Sequence, residues 1–299
     1  MPNLTAFFSR LYEGLLSERS RDRGEVIIVV IAIAGFLIHL GLIGLNSIGL
    51  VMPESFSELI GNPIFAIYTP FSFILLYEVY LLVYYLPKSV SKYIGKQYEI
   101  ITLIVIRKIF NDISKLEFTS NWFQVQDDLQ FTFDITASLA LFFLIYVFYW
   151  LNQRRGSVAE ITILKKKDLD NFIRIKQGIA LLLVPLFFGL VIFNFGQWLI
   201  ISFVASTPEP ADFTNLNNIF FEDFFTILIL TDVLLLLVSF LYTNQFHQVI
   251  RNSGFVISTV LIKISFGQQG LVSTVLTVVA VLIGVLVLAI HNRYEKLKY

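Results

Sequence analysis

The chain has 299 residues, of which 56% are hydrophobic and 15% charged, with 22 basic and 22 acidic side chains. Soluble domains carry about 25% charged residues, so this composition, with a mean hydropathy of +0.75, excludes an ordinary soluble globule. The absence of cysteine excludes disulfides, thiolate metal centres and thiol nucleophiles.

Residues 4–16, LTAFFSRLYEGLL, set Leu4, Phe7, Phe8, Leu11, Leu15 and Leu16 at i, i+3, i+4, i+7 spacing. That pattern predicts an amphipathic helix on the inner membrane surface, with packing against the cytoplasmic loops as the alternative. No cleaved leader is expected, because the first apolar run is long enough to span and no small-residue cleavage site follows it. Eight apolar runs come next, at 26–52, 70–86, 95–112, 131–151, 179–204, 221–243, 252–267 and 271–291. Each is near the ~20 residues that a bilayer requires, although the third and seventh are short and carry cations.

The expected fold is all-α: a polytopic membrane bundle of about eight transmembrane helices in two parallel four-helix repeats. Residues 1–24 form its cytoplasmic N-terminal helix, 25–152 the first repeat, 153–178 a basic cytoplasmic linker and 179–299 the second repeat. Lysine and arginine gather on one set of loops, at Arg19, Arg21 and Arg23, at Lys88, Lys92 and Lys96, at Lys165, Lys166 and Lys167, and at Arg293, Lys296 and Lys298. The other set has Lys115 and the acids Glu54, Glu58, Glu117, Asp127, Asp128, Glu209 and Asp212. By the positive-inside rule both termini are cytoplasmic, and the location expected is a bacterial inner membrane. The basic loops are expected to meet anionic lipid headgroups. The partners are then the bilayer and, as an open option, further copies of the chain. Nucleic acid is not expected, since no aromatic platform or known motif accompanies the charge.

The two halves repeat one pattern. Glu78 sits inside FSFILLYEVYLLVYYL and is followed by Arg107 and Lys108 in YEIITLIVIRKIF; Asp232 sits inside FFTILILTDVLLLLVSFL and is followed by Lys263 in GFVISTVLIKISF. GLIGLN at 41–46 matches GLVIFN at 189–194, so Asn46 and Asn194 hold equivalent places, and LNQR at 151–154 matches IHNR at 290–293. Charges within spans are rare and are generally paired. The expected pairs are Glu78 with Arg107 or Lys108, and Asp232 with Lys263 or Arg251, with Asp134 joining Lys108. Such pairs serve either an ion path or helix register. His39, Asn46, Asn194 and Gln197 are the polar candidates within spans, with interhelical hydrogen bonding as the alternative role. His247 and Arg251 lie at the inner boundary, where Asp232 or lipid phosphate is the expected partner of His247.

Residues 219–298 resemble the phosphate-starvation-inducible PsiE family. The likeness rests on Asp232 in an aliphatic span, FHQVIR at 246–251 with Arg251 four after His247, Lys263 twelve further on, and an apolar last span with a basic tail. Asp232 and Lys263 stand where the family has Glu and Arg, and Val249 where it has Pro. The resemblance implies a small multi-span protein of the bacterial inner membrane and no particular chemistry.

Enzyme signatures are absent: no His-Glu-x-x-His, Gly-x-Ser-x-Gly, Walker loop or dinucleotide fingerprint occurs. No catalysis, cofactor or metal is expected. A potassium-filter sequence is missing, and one or two cations per helix are too few for a voltage sensor. The function expected is that of a non-enzymatic integral membrane protein moving or gating a small ion or solute. The alternative is a scaffold or a regulatory or stress-response subunit whose charged pairs are purely structural.

Overall fold

The computed structural model describes residues 10–48, 66–113, 126–153, 166–203, 213–242, 246–268 and 270–297. A short helical segment at 10–16 precedes α1 (Glu18–Ser47), α2 (Tyr68–Tyr85), α3 (Val90–Ile113), α4 (Gln126–Gln153), α5 (Lys166–Phe203), α6 (Phe213–Tyr242), α7 (Phe246–Phe266) and α8 (Gly270–Lys296). No strand occurs among the described residues.

Local chemistry fixes the helix ends. Ser17 caps α1, its hydroxyl accepting from the Ser20 N–H at 3.2 Å, which satisfies one of the orphan donors of a first turn. Pro87 cannot continue α2, and the chain reverses within residues 86–89 into α3. The α7–α8 reversal requires Gly270, whose φ of 63° lies in the left-handed region that side chains disfavour. Pro185 lies inside the 38 residues of α5.

The neighbours run α2–α3–α4–α8–α7–α6–α5 and lightly back to α2, with α1 leaning on α2 from outside. Within this circuit α3 faces inward, sending Tyr98 and Gln97 across to α7 and α6. Leu82, Tyr98, Ile101, Leu141, Phe148, Phe225, Phe255, Val281 and Leu288 form one continuous core. Its closest contact is at Gly284, where an added methyl would stand 1.7 Å from the Tyr98 hydroxyl. Val26, Ile27, Val30, Leu37 and Ile38 of α1 are exposed, a stripe suited to lipid rather than water.

Among the described residues, six stretches are long and apolar enough to cross a membrane: Arg10–Ser47, Asp128–Gln153, Asn171–Phe193, Asp223–Tyr242, Phe246–Phe266 and Gly270–Lys296. The apolar part of α2 is shorter, Thr69–Tyr85. α3 falls short in hydropathy for a physical reason: it is a helix surrounded by protein. Ser91, Tyr93, Gln97, Tyr98, Thr102 and Arg107 are all buried on it, so neighbouring helices, and not lipid, meet its polar groups.

Two boundaries differ from expectation. Within the linker expected over 153–178, residues 166–178 are helical, as the first turns of α5. The N-terminal amphipathic segment is described only from residue 10. There Leu16 is buried in the core and the Tyr80 hydroxyl donates to the Leu15 carbonyl at 2.8 Å, while Leu11 and Leu15 are exposed. Leu4, Phe7 and Phe8 lie outside the described residues.

Candidate functional site

Asp232 lies ten residues from the C-terminal end of α6, about 15 Å at 1.5 Å per residue, half of a hydrocarbon core of about 30 Å. It is 4% exposed. Its carboxylate accepts from the Gln97 side-chain amide at 3.3 and 3.1 Å, and the Gln97 carbonyl oxygen accepts from the Thr259 hydroxyl at 2.9 Å. One glutamine on α3 thereby ties α6 to α7. No cation lies within ion-pair distance of Asp232 among the described residues. A buried charge without a counter-ion is among the most expensive features a bundle can hold.

Beside Asp232 lies a cavity of about 30 Å³, walled by Val90, Tyr93, Asp232, Leu236, Asn252 and Val256 among others. The Tyr93 hydroxyl, on a residue 1% exposed, is turned to the Asp232 carboxylate and the Gln97 amide without a well-aligned hydrogen bond to either. Asn252 connects the cavity to a polar knot at the same end of the bundle. Its carbonyl oxygen accepts from Arg251 Nε and Nη2 at 3.1 and 3.0 Å, and its amide donates to Ser239 at 3.3 Å. Arg251 Nη1 stands 3.4 Å from His291 Nε2, and His291 Nδ1 is 3.0 Å from the His247 carbonyl. That carbonyl can only accept, so Nδ1 of His291 carries the proton and Nε2 faces Arg251.

On the other side of Asp232 the polar groups continue. Ser258 donates to the Ala280 carbonyl at 2.6 Å and accepts from Tyr98 at 2.9 Å. After Ile262, fully buried, Thr277 meets Ser265 at 2.9 Å. Beyond them Thr274 donates to Asp134 at 2.5 Å, Gln130 donates to Asp134 at 2.9 Å, and Lys108 stands 3.0 Å from the same carboxylate. A polar seam therefore follows the inward faces of α7 and α8, broken by Ile262.

The expected partners were right at one point and wrong at two. Lys108 does meet Asp134. Glu78 meets Lys96 at 3.5 Å, and Lys96 also binds Glu99 at 2.5 Å, where the Tyr149 hydroxyl donates. Hairpin geometry explains this: Glu78 lies nine residues before Pro87 and Lys96 nine after it. Arg107, eleven residues further, is displaced by about 16 Å along the helix; it is buried elsewhere on α3. The same rule separates Asp232 from Lys263. Twelve residues either side of Asn244, the midpoint of the α6–α7 connection, lie Asp232 and Val256, and Lys263 is seven beyond, or about 10 Å. Lys263 instead occupies the last turn of α7, where a cation suits the helix dipole. Arg251 is occupied by Asn252 and His291 rather than by Asp232.

His39 bonds Thr69 at 2.7 Å between α1 and α2, as a satisfied interhelical group. Asn46 lies on the exposed side near the end of α1. The side chains of Asn194 and Gln197 lie outside the described residues. His247 packs its ring against His291, with centroids 5.0 Å apart, rather than against Asp232. No group of three or more histidine, aspartate or glutamate side chains that could hold a metal occurs among the described residues.

Tyr93, Gln97, Asn252, Thr259 and His291 were missed from the sequence. One signal was present: the buried positions 247, 251, 254, 258, 262 and 265 of α7 recur at helical spacing and are mostly small or polar. No family model matches the chain, and no curated protein or solved structure does either.

Proposed function

We propose that this is a multi-pass, non-enzymatic membrane protein that moves a small ion or solute along the seam between α3, α6, α7 and α8. One observation supports the reading above the others: Asp232 is buried at mid-depth without a cation and borders a cavity. A brace would be expected to bring its own counter-charge, as Lys108 does for Asp134. The Ile262 break is where the seam would open and close.

The same reading takes α2 and α3 as spans seven and eight beside the six apolar stretches, arranged as two parallel four-helix repeats. The contact order supports it, since the third helices of the two halves, α3 and α7, touch through Tyr98 and Ser258, and the fourth helices, α4 and α8, are neighbours. The charge asymmetry of the loops supports cytoplasmic termini. Kinship of residues 219–298 with the PsiE family, and a bacterial inner membrane, belong to the same proposal. A scaffold role is the second reading, favoured by the Glu78–Lys96–Glu99 and Lys108–Asp134 ties and by the close packing at Gly284.

Flux into proteoliposomes distinguishes them. With protons, sodium, potassium, chloride and phosphate tested in turn against protein-free vesicles, at least one should move. No flux of any of these would leave the scaffold.

A further inference from the structure

The lightest join of the helix circuit, among the described residues, is the one between α2 and α5. The segment 10–16 lies across one end of it. Leu16 is buried and belongs to the core. Tyr12 is half-buried against that core, with Gln177 of α5 and Tyr84 of α2 as side-chain neighbours. One tyrosine thereby touches both helices where they hardly touch each other. The face of α2 that receives the segment is a tyrosine ladder: Tyr77, Tyr80 and Tyr84 follow at three- and four-residue spacing, which sets them on one side of a helix. The Tyr80 hydroxyl donates to the Leu15 carbonyl at 2.8 Å and the Tyr77 hydroxyl to the Arg21 carbonyl at 3.1 Å. Lys88 Nζ lies 3.8 Å and the Arg21 guanidinium 5.4 Å from the centre of the buried Tyr84 ring, where the face of the ring attracts a cation. The chain turns out of the segment at Ser17, whose backbone is extended, and the Ser20 hydroxyl holds the turn by donating to the Gly14 carbonyl at 2.7 Å.

We propose that residues 10–17 are a strap that closes the α2–α5 seam at the end where α5 begins, and that lifting the strap opens this seam while the rest of the bundle stays folded. The proposal is independent of the transport reading. The hold of the strap is that of a local, separable element: one buried leucine, one shared tyrosine and a carbonyl bonded from Tyr80. Segments with so few buried contacts open far more often than a whole protein unfolds. Leu11, Glu13, Gly14 and Leu15 are exposed, and no atom lies within 4 Å of the place where a Gly14 side chain would begin, so nothing lies over the strap there to hold it down. The bundle beneath has its own ties, since α2 packs on α3 and α5 on α6 along their lengths. Those hairpins persist when the strap lifts, and only the join between them is released.

Because the chain has no cysteine, a single introduced thiol reports the opening. Ala180→Cys places one on α5, fully buried one turn beyond Gln177. Ser239→Cys places a control at the same end of the bundle, buried on α6 against Asn252 of α7. The rate of labelling by a water-soluble maleimide follows the open population at each site. Leu16→Ser removes the apolar anchor and should quicken labelling at position 180 by about tenfold or more, as expected for loss of a buried leucine. Tyr80→Phe removes the bond to the Leu15 carbonyl and should quicken it by about threefold, the effect of one hydrogen bond. Position 239 should stay within about twofold of the parent rate in both, since local opening leaves the rest of the fold closed. An unchanged rate at position 180 in Leu16→Ser would overturn the strap, and so would equal quickening at 180 and 239, which is the mark of general unfolding. If Leu16→Ser fails to fold, Tyr80→Phe decides by the same two readings.

Discussion

The side chains that decide this bundle are small or polar ones at single crossings. Gly284 is needed because the Tyr98 ring enters α8 there, held by Ser258, and an alanine methyl would meet its hydroxyl at 1.7 Å. Gly284→Ala should therefore destabilise the protein by about 1–3 kcal/mol, the usual cost of overpacking. Combination with Tyr98→Phe, which removes the obstructing oxygen, should recover part of the loss. Thermal unfolding followed by tryptophan fluorescence measures both. A Gly284→Ala protein as stable as wild type would contradict the crossing described. Nothing in the local sequence of α8, where Gly284 sits amid valine and leucine, signals that a tyrosine from 186 residues earlier occupies the gap; tertiary contacts of that range leave no periodic trace.

At the level of helices, hairpin reversal sets which charges meet. The apolar runs were legible because bilayer-length hydrophobicity is a one-dimensional property: each overlaps a helix, and six of those helices are long and apolar enough to cross a membrane among the described residues. Partner choice was not legible until the turns were known, because depth must be counted from the reversal and not from the apolar boundary. Glu78 and Lys96 are equidistant from Pro87, whereas Glu78 and Arg107 are not. Lys96 was hidden for a second reason: it reads as a loop cation, yet α3 begins at Val90 and carries it into the bundle. A double-mutant cycle with Glu78→Gln and Lys96→Met should give a coupling energy of about 0.5–3 kcal/mol. The cycle with Glu78→Gln and Arg107→Met should be additive within about 0.5 kcal/mol. The opposite ranking would restore the register first expected.

Over the whole molecule, charge is arranged in two ways. Lys96 and Lys108 tie acids locally at two levels of the first half, while Asp232 has glutamine and water-sized space in place of a cation. That an acid lies inside α6 was plain from the sequence. That its neighbour is Gln97 of the other half required the fold, since amides are common and carry no sign by which to find a partner. The account stands or falls on this difference, and one comparison tests it most directly: stability and flux measured together for Asp232→Asn. Asparagine keeps an oxygen to accept from Gln97 and strands no buried cation, so the change in unfolding free energy should stay below about 1 kcal/mol, while flux per folded protein falls to the level of empty vesicles. A loss of about 3–5 kcal/mol, the signature of a broken buried pair, together with unchanged flux in the folded fraction, would contradict it and make Asp232 a brace.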